Sequence, residues 1–435
     1  MILEIFFETY GCTANQNSSE IMKGLVKQVG LNITQNEDFA DLIIINSCIV
    51  KEPTQEKIRK RIQDLLKKGK KIILAGCMPR LNKRILQKEN LYLLDTSQIK
   101  NITDLIQDIQ NKTYDEDKYL KQRNEIKIGL PKISNEKFIG INQISEGCLG
   151  GCSYCIVRFA KGKLFSYPKE EIIESIKEDL QSGAKEIWLT SQDNASYGND
   201  NGEYLLPELI REIFQIPGKF RVRLGMMNPN NVLRILPELI ELYKNEKMFK
   251  FLHLPIQSGS NKILKLMNRE YTREDVLKIV REFKRQIPEI TIATDIIVGF
   301  PGEIEDDWKE TINLVKEINP EILNRSNFCV RQGTEAEKLA REFFIPAETI
   351  NQRATELMNL HLEICNEIQK SFLGKEIKVF VDKKGFGTTY LARDDNYKLV
   401  AVQSKEKILG KSLKVKIKKV LVHYLIGEPV EHRQI

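Results

Sequence analysis

No stretch of the 435 residues approaches the run of roughly 20 apolar residues that a bilayer span needs, so no membrane segment is expected. The opening Met1-Ile-Leu-Glu-Ile-Phe-Phe has no basic n-region and meets Glu4 at once, which argues against a signal peptide and for a cytoplasmic protein. That compartment keeps thiols reduced, so the eight cysteines are not expected to pair as disulfides. Metal ligation, catalysis and core filling remain open for them. Excess charge is also missing from most of the chain. Fourteen of the 67 Lys and Arg, against seven of the 60 Asp and Glu, lie between Phe372 and Ile435, so that segment carries the whole formal +7. A polyanionic partner would feel it there first.

What is present suggests an α/β protein with several domains. Residues 1–110 alternate apolar runs (Leu3-Glu-Ile-Phe-Phe, Leu42-Ile-Ile-Ile-Asn, Lys71-Ile-Ile-Leu-Ala) with amphipathic stretches, the pattern of a parallel sheet covered by helices. Residues 111–136 are polar and charged, as a linker would be. Six further strands are predicted near 138–145, 185–190, 219–224, 250–255, 290–298 and 321–328. Six such repeats within 137–333 make a partial (β/α)6 barrel, with its chemistry at the C-terminal ends of the strands. Residues 334–371 read as a helical connection broken by Pro346. Residues 372–435 alternate apolar and polar positions around the turn Gly385-Phe-Gly, which predicts a small β-barrel of five strands.

Cys148-Leu-Gly-Gly-Cys152-Ser-Tyr-Cys155 is the sharpest signal. Three thiolates spaced three and two residues apart, in a glycine-rich loop after the first barrel strand, suit one face of a [4Fe–4S] cubane and leave its fourth iron open to a ligand. A zinc knuckle is the competing reading, but no fourth Cys or His lies nearby to complete a tetrahedron. Cys12, Cys48 and Cys77 each follow one of the three N-terminal strands, and an open parallel sheet gathers its C-terminal strand ends around one crevice. Three ligands far apart in sequence are thus expected to meet and to hold a second cluster. Cys329 and Cys365 sit in apolar strand and helix patterns and are expected as inert core residues.

Glu8-Thr-Tyr-Gly-Cys12, Asn46-Ser-Cys48, Ala75-Gly-Cys77-Met-Pro and Glu146-Gly-Cys148 through Cys155 together resemble the methylthiotransferases of the radical S-adenosylmethionine superfamily. The likeness continues through Thr190-Ser-Gln-Asp193, Arg223-Leu-Gly-Met-Met-Asn-Pro229, His253-Leu-Pro-Ile-Gln-Ser-Gly-Ser260 and Thr294 to Glu303, and the basic terminal barrel is similar to a TRAM domain. Cys155-Ile-Val-Arg-Phe-Ala-Lys-Gly-Lys-Leu-Phe-Ser-Tyr-Pro168 resembles the archaeal and eukaryotic branch acting on N6-threonylcarbamoyladenosine in tRNA. Lys161 in place of the usual Arg, and Arg331-Gln-Gly-Thr334 in place of Arg-Pro-Gly-Thr, depart from the pattern without touching a cluster ligand.

The resemblance implies that Cys148, Cys152 and Cys155 hold the cluster that cleaves S-adenosylmethionine to a radical, while Cys12, Cys48 and Cys77 hold the one that carries sulfur. It implies S-adenosylmethionine as both radical source and methyl donor, tRNA as substrate, an electron donor of flavodoxin or ferredoxin type, and a source of sulfide. Tyr154, Gln192, Gln257 and Ser258 are the expected contacts to S-adenosylmethionine, with ordinary strand-end turn chemistry as the alternative for the last three. His253 reads as a satisfied core histidine. Lys414, Lys416 and Lys418 share one strand face and are expected to bind RNA, with Phe386 and Tyr390 stacking beside them. A lysine-guarded strand edge is the alternative there. Two rivals remain: a methylthiotransferase acting on isopentenyladenosine or a ribosomal-protein aspartate, and a non-catalytic iron–sulfur RNA-binding protein.

Overall fold

A computed structural model describes residues 3–81 and 88–430; the outermost residues of the first and last expected domains, 1–2 and 431–435, lie outside it with 82–87. The N-terminal domain holds one parallel sheet of five strands in the order β2-β1-β3-β4-β5, formed by β1 (Glu4–Thr9), β2 (Asn32–Ile33), β3 (Leu42–Ser47), β4 (Lys71–Gly76) and β5 (Leu91–Asp95). All six residues of β3 are buried. Ile43 and Ile45 enter one apolar cluster, while Leu42 and Ile44 enter the other. Helices on both faces are therefore required, which is why this strand reads as a continuous apolar run. The run in β5 is absent from the expected strands because it is short and directly follows a Lys- and Asn-rich stretch.

The central domain realises all six predicted strands. These are β6 (Ile139–Gln143), β9 (Glu186–Thr190), β10 (Arg221–Leu224), β11 (Phe251–Gln257), β12 (Thr291–Val298) and β13 (Ile322–Asn327). They pair in parallel as two three-stranded sheets, β10-β9-β6 and β11-β12-β13. The halves meet where Phe249 N donates to Val222 O (2.9 Å) and Met227 N to His253 O (3.0 Å). β7 (Ser145–Glu146) and β8 (Phe165–Ser166) form a small antiparallel pair flanking the cysteine loop.

A six-stranded barrel leaves a lateral gap between β6 and β13, and the N-terminal domain fills it. On one side Asn17, from helix α1 (Thr13–Gln28), donates to the Ile141 carbonyl of β6 at 2.7 Å. On the other, residues just past β13 reach helix α2 (Glu52–Lys67): Cys329 Sγ donates to Glu52 at 2.7 Å, and Arg331 bonds Gln55 at 2.7 Å and the Val50 carbonyl at 3.0 Å. Cys329 is therefore a half-exposed contact between domains rather than the inert core residue expected, because β13 ends at Asn327 before reaching it. Cys365 is buried in the helix Ala347–Lys370 as expected. Segment 111–136 is no free tether either. Its helix Glu116–Leu120 buries Tyr119 and Leu120, and Lys127 is only 1% exposed.

The terminal domain is a closed barrel in the order β14-β15-β16-β18-β17, built from β14 (Glu376–Lys384), β15 (Thr389–Arg393), β16 (Leu399–Gln403), β17 (Ser412–Val420) and β18 (Leu425–Pro429). It is fixed to the N-terminal ends of the central strands. The Tyr397 ring inserts among Phe249, Phe251 and Trp188 (centroids 5.0, 4.8 and 6.1 Å away), and Arg221 pairs with Asp395 at 2.7 Å. Among the described residues no helix is long and apolar enough to cross a membrane.

Candidate functional site

The cysteine loop needs its glycines. At Gly147, φ is +78° and a Cβ would lie 2.0 Å from the Lys163 carbonyl, so no other residue fits the turn that launches Cys148. A Cβ at Gly150 would fall 3.2 Å from Cys148 Sγ and 3.8 Å from Cys152 Sγ; the bare backbone there leaves both sulfurs facing the same space. The loop is pinned by the C-terminal end of the short helix Asn261–Leu266 and the turn that follows it. Ser153 donates from N to Met267 O (3.0 Å) and from Oγ to Leu266 O (2.8 Å), and Asn268, in left-handed backbone, donates to Gly151 O (2.8 Å).

Arg269 is a site residue that the sequence reading missed. Its Nη1 donates to Cys152 Sγ at 3.2 Å, while its other nitrogens hold the Tyr271 hydroxyl (2.9 Å), the Pro255 carbonyl (3.0 Å) and the Asn228 side chain. A fixed cation thus sits against one thiol, the environment a thiolate ligand needs. It lies over a hundred residues from the cysteines, and only the arginine–tyrosine pair capping a strand-end turn offered a signal. Burial pushes the Cys148 thiol up to about 12 and also raises Cys155, against the N–H groups of Gly150 and of Val157 and Arg158 respectively. Buried thiols of this kind are poor acids alone, and a bound metal reverses that by taking the thiolate directly.

The four expected cofactor contacts divide. Tyr154 packs its ring edge-on against Phe300, with centroids 6.3 Å apart, inside a small apolar cluster under the loop. Gln192 Oε1 accepts from Gly147 N at 2.7 Å, so it orients the loop itself. Gln257 ends β11 at a register shift with φ of +72°, a strained conformation for a side chain of this type and common at binding sites. Ser258 is fully buried, and its hydroxyl accepts from Ser260 N (3.2 Å) and meets Thr311 Oγ1 (3.3 Å). That engagement makes Ser258 a support for the turn. His253 Nε2 lies 2.6 Å from Asp295, satisfied as expected.

Cys12, Cys48 and Cys77 do follow adjacent strands, β1, β3 and β4. Cys12 caps the N-terminus of α1. A Cβ at Gly11 would lie 2.9 Å from Cys48 Cβ, which puts these two loops in direct contact. A Cβ at Gly76 would lie 2.4 Å from Asn46 Oδ1 and 2.5 Å from Ser47 O, so the turn into Cys77 is equally tight, and Cys77 N donates to Ser47 O at 3.0 Å. An asparagine network holds the three loops in place: Asn15 donates to Tyr10 O and Ser47 O (both 2.9 Å), and Asn46 donates to Asn15 O (2.8 Å) and Ser19 Oγ (2.9 Å). Burial pushes Cys77 up to about 12, and the neighbouring Cys12 and Cys48 add to the rise. Cys48 is raised by burial too, while the N–H groups of Ile49, Val50 and Lys51 pull the other way.

The two triads are linked through one apolar cluster. Cys77 shares an apolar cluster with Ile156, Val157 and Ala160, the turn and short helix (Val157–Lys161) that directly follow Cys155. Among the described residues no three His, Cys, Asp or Glu stand close enough as the side chains lie to hold a single metal ion, the two cysteine triads included. Below the triads a cavity of about 360 Å³ is walled by Gly11 and Gln16 from the N-terminal domain, Ile141 and Trp188 inside the barrel, and Arg393 from the terminal barrel.

In the terminal barrel Lys414, Lys416 and Lys418 are all exposed on β17, as expected. Phe386 is 97% exposed at the tip of the β14–β15 turn. Tyr390 is only 5% exposed and belongs to the barrel core, because it alternates inward on β15, so it is unavailable for stacking on RNA.

Three family models match the chain: "Radical SAM superfamily" over residues 142–315, "Uncharacterized protein family UPF0004" over 4–94 and "TRAM domain" over 370–430. The chain is 39% identical over 431 residues, covering 98% of itself and 99% of the relative, to the "Probable threonylcarbamoyladenosine tRNA methylthiotransferase" of Pyrococcus horikoshii. It is 34% identical to the "Threonylcarbamoyladenosine tRNA methylthiotransferase" of Homo sapiens, covering 100% of itself and 75% of that protein. Among solved structures it resembles the radical S-adenosylmethionine methyltransferase TsrM from Kitasatospora setae, with TM-score 0.58, 13% identity, and 79% and 78% of the two chains covered. At that identity the likeness is one of fold.

Proposed function

The chain belongs to the threonylcarbamoyladenosine tRNA methylthiotransferase family, and from that premise we propose that it replaces the C2 hydrogen of N6-threonylcarbamoyladenosine, next to the anticodon of tRNA, with a methylthio group. That carbon is neither acidic nor electrophilic, so acid–base side chains cannot do the chemistry and a cofactor must. Cys148, Cys152 and Cys155 would hold one [4Fe–4S] cluster, and Cys12, Cys48 and Cys77 a second. Bound there with S-adenosylmethionine, they would supply one-electron cleavage of its sulfonium and a seat for the sulfur to be transferred.

The chain's own residues then bind, orient and exclude. Arg269 sets a positive charge on Cys152, and Asn268 and Ser153 keep the loop from moving as its charge changes. Gln192 orients the first loop turn, and Gln257 is held strained at the strand end where S-adenosylmethionine would lie. The N-terminal domain, by sealing the gap between β6 and β13, keeps water from the space between the triads. Lys414, Lys416, Lys418 and Phe386 would grip the RNA, whose target base must leave its stack to reach the triads. An electron donor of flavodoxin or ferredoxin type and a sulfide source complete the requirements, and the reducing cytoplasm suits six free thiols.

The observation that supports this reading above others is the apolar cluster that Cys77 shares with Ile156, Val157 and Ala160, the turn and helix that follow Cys155, which joins the two three-thiol loops across the domain boundary. Nucleoside mass spectrometry of tRNA from a deletion strain tests it. The 2-methylthio form of threonylcarbamoyladenosine should vanish and return with the intact gene, but not with Cys77→Ala or Cys152→Ala. Unchanged tRNA in the deletion strain refutes the assignment.

A further inference from the structure

Two lysines and one glutamate are buried together where the N-terminal domain, segment 111–136 and the cysteine loop meet. Glu146, two residues before Cys148, accepts from Lys127 Nζ at 2.5 Å and from Lys161 Nζ at 2.8 Å. The lysines' remaining bonds go to a single residue, Thr96, at its carbonyl (2.6 Å) and its hydroxyl (2.6 Å). Both lysine side chains are at most 2% exposed. The nearest other carboxylate, Asp95, is occupied by Ser97 and ion-paired with Arg80 at 3.6 Å.

The pairing is uneven: two ammoniums share one carboxylate, which leaves a buried surplus of one positive charge. Burying an ammonium is costly unless an anion lies close. A purely structural bridge between the domains would need only one of these lysines. The surplus has a direction. Lys161 ends the short helix Val157–Lys161, and Ile156, Val157 and Ala160 share an apolar cluster with Cys77; Glu146, Cys77 and Cys12 are among the groups whose charge acts on Lys161. Lys161 is the strongest charge acting on Cys77.

We propose that Lys161 is a positioning residue for the Cys12–Cys48–Cys77 site, supplying the fixed positive charge that offsets a thiolate-ligated cluster there and raises its reduction potential. The inference rests on the reading that this triad carries a cluster. Each one-electron reduction adds one negative charge to the site, and a buried cation nearby favours the more negative state. In the other triad Arg269 acts more directly, donating to Cys152 Sγ at 3.2 Å.

The test uses the full chain with Cys148, Cys152 and Cys155 all changed to Ala, reconstituted with iron and sulfide so that only the second site can load. Its midpoint potential is read by EPR during titration with dithionite, which supplies the electron. Lys161→Gln should shift the midpoint to more negative potential, and Lys161→Arg should restore it. Lys127→Met disturbs the same hydrogen-bonded network but should shift the midpoint less. An unmoved midpoint in Lys161→Gln, or equal shifts in Lys161→Gln and Lys127→Met, overturns the inference while leaving the cluster assignment intact. Absence of any cluster in the triple-alanine protein overturns both. If Lys161→Gln fails to load, the Lys161→Arg protein decides: a midpoint matching the parent supports the role of charge, and a displaced one overturns it.

Discussion

Glu146→Gln is the sharpest perturbation of the structure outside the cysteines. It keeps the size of the side chain and removes the only carboxylate between Lys127 and Lys161. Breaking a buried pair by deleting one partner costs about 3–5 kcal/mol, because the surviving charge is stranded. Here two ammoniums are stranded, and the relief open to them is for one to lose its proton. At pH 7 that costs a lysine of ordinary pKa near 10.4 about 4.6 kcal/mol. Electrostatics and proton loss thus converge on a loss of about 4–5 kcal/mol. Equilibrium urea unfolding of the metal-free protein, followed by the fluorescence of Trp188 and Trp308 in the central domain, measures it. The triple change Glu146→Leu, Lys127→Met and Lys161→Met removes every charge at once and should recover most of the loss, since an apolar replacement of a whole buried network is often neutral. A loss below about 1 kcal/mol in Glu146→Gln, or a triple variant no more stable than the single, would refute the picture of a mutually dependent buried network.

Phe386→Ala should weaken tRNA binding by about 1–3 kcal/mol, the worth of one stacked base, without moving the thermal midpoint. Tyr390→Ala should do the reverse, destabilising the terminal barrel by about 3–5 kcal/mol as a large core truncation; binding and melting curves of the two proteins separate the roles. Changing Lys414, Lys416 and Lys418 together to Gln should flatten the dependence of log K on log salt by about one for each of these lysines that neutralises a phosphate, and an unchanged slope would mark β17 as a guarded edge only. Asp394, pushed up to about 6 by burial, should make wild-type stability fall as pH rises from near 4 through 6, because the ionised form is disfavoured in the fold. Asp394→Asn keeps the acceptor for Lys398 N and Asn396 N, so it should lessen that slope, to which the raised Glu20, Glu186 and Glu303 also contribute, and gain up to about 3 kcal/mol above pH 6 in a urea-midpoint series.

Both thiol triads were legible because their chemistry fixes local spacing in one case and strand-end position in the other. Cys148 to Cys155 is a short-range pattern, and Cys12, Cys48 and Cys77 repeat one place in a strand–turn–helix unit. The supports of the site were not legible. Arg269, Asn268 and the Lys127–Glu146–Lys161 network act across more than a hundred residues or from within a polar stretch that reads as linker, and the sequence marked Lys161 only as a departure from the usual Arg, with no role attached. The errors at Cys329 and Tyr390 both concern strand geometry. The strand β13 ends before it reaches Cys329, and Tyr390 alternates into the barrel core, where a shift of one residue in a period of two would reverse the answer.

The same distinction explains the division of labour among the domains. A six-stranded barrel is open on one side, and Asn17 and Arg331 show that the N-terminal domain is fitted into that opening rather than hung beside it. The consequence is geometric. The C-terminal ends of two independent parallel sheets, each the natural ligand-binding end of its own fold, are turned toward one space. The terminal barrel, anchored by Tyr397 and Asp395 to the opposite ends of the central strands, closes that space from below. A base bound between the triads would therefore have one side on each domain, and loosening the seal at Arg331 should separate radical formation from sulfur transfer. With Arg331→Ala, which removes the bonds to Gln55 and Val50 but touches neither triad's sulfurs, formation of 5′-deoxyadenosine should persist while methylthiolated product falls. Equal loss of both would mean that the seal serves stability alone.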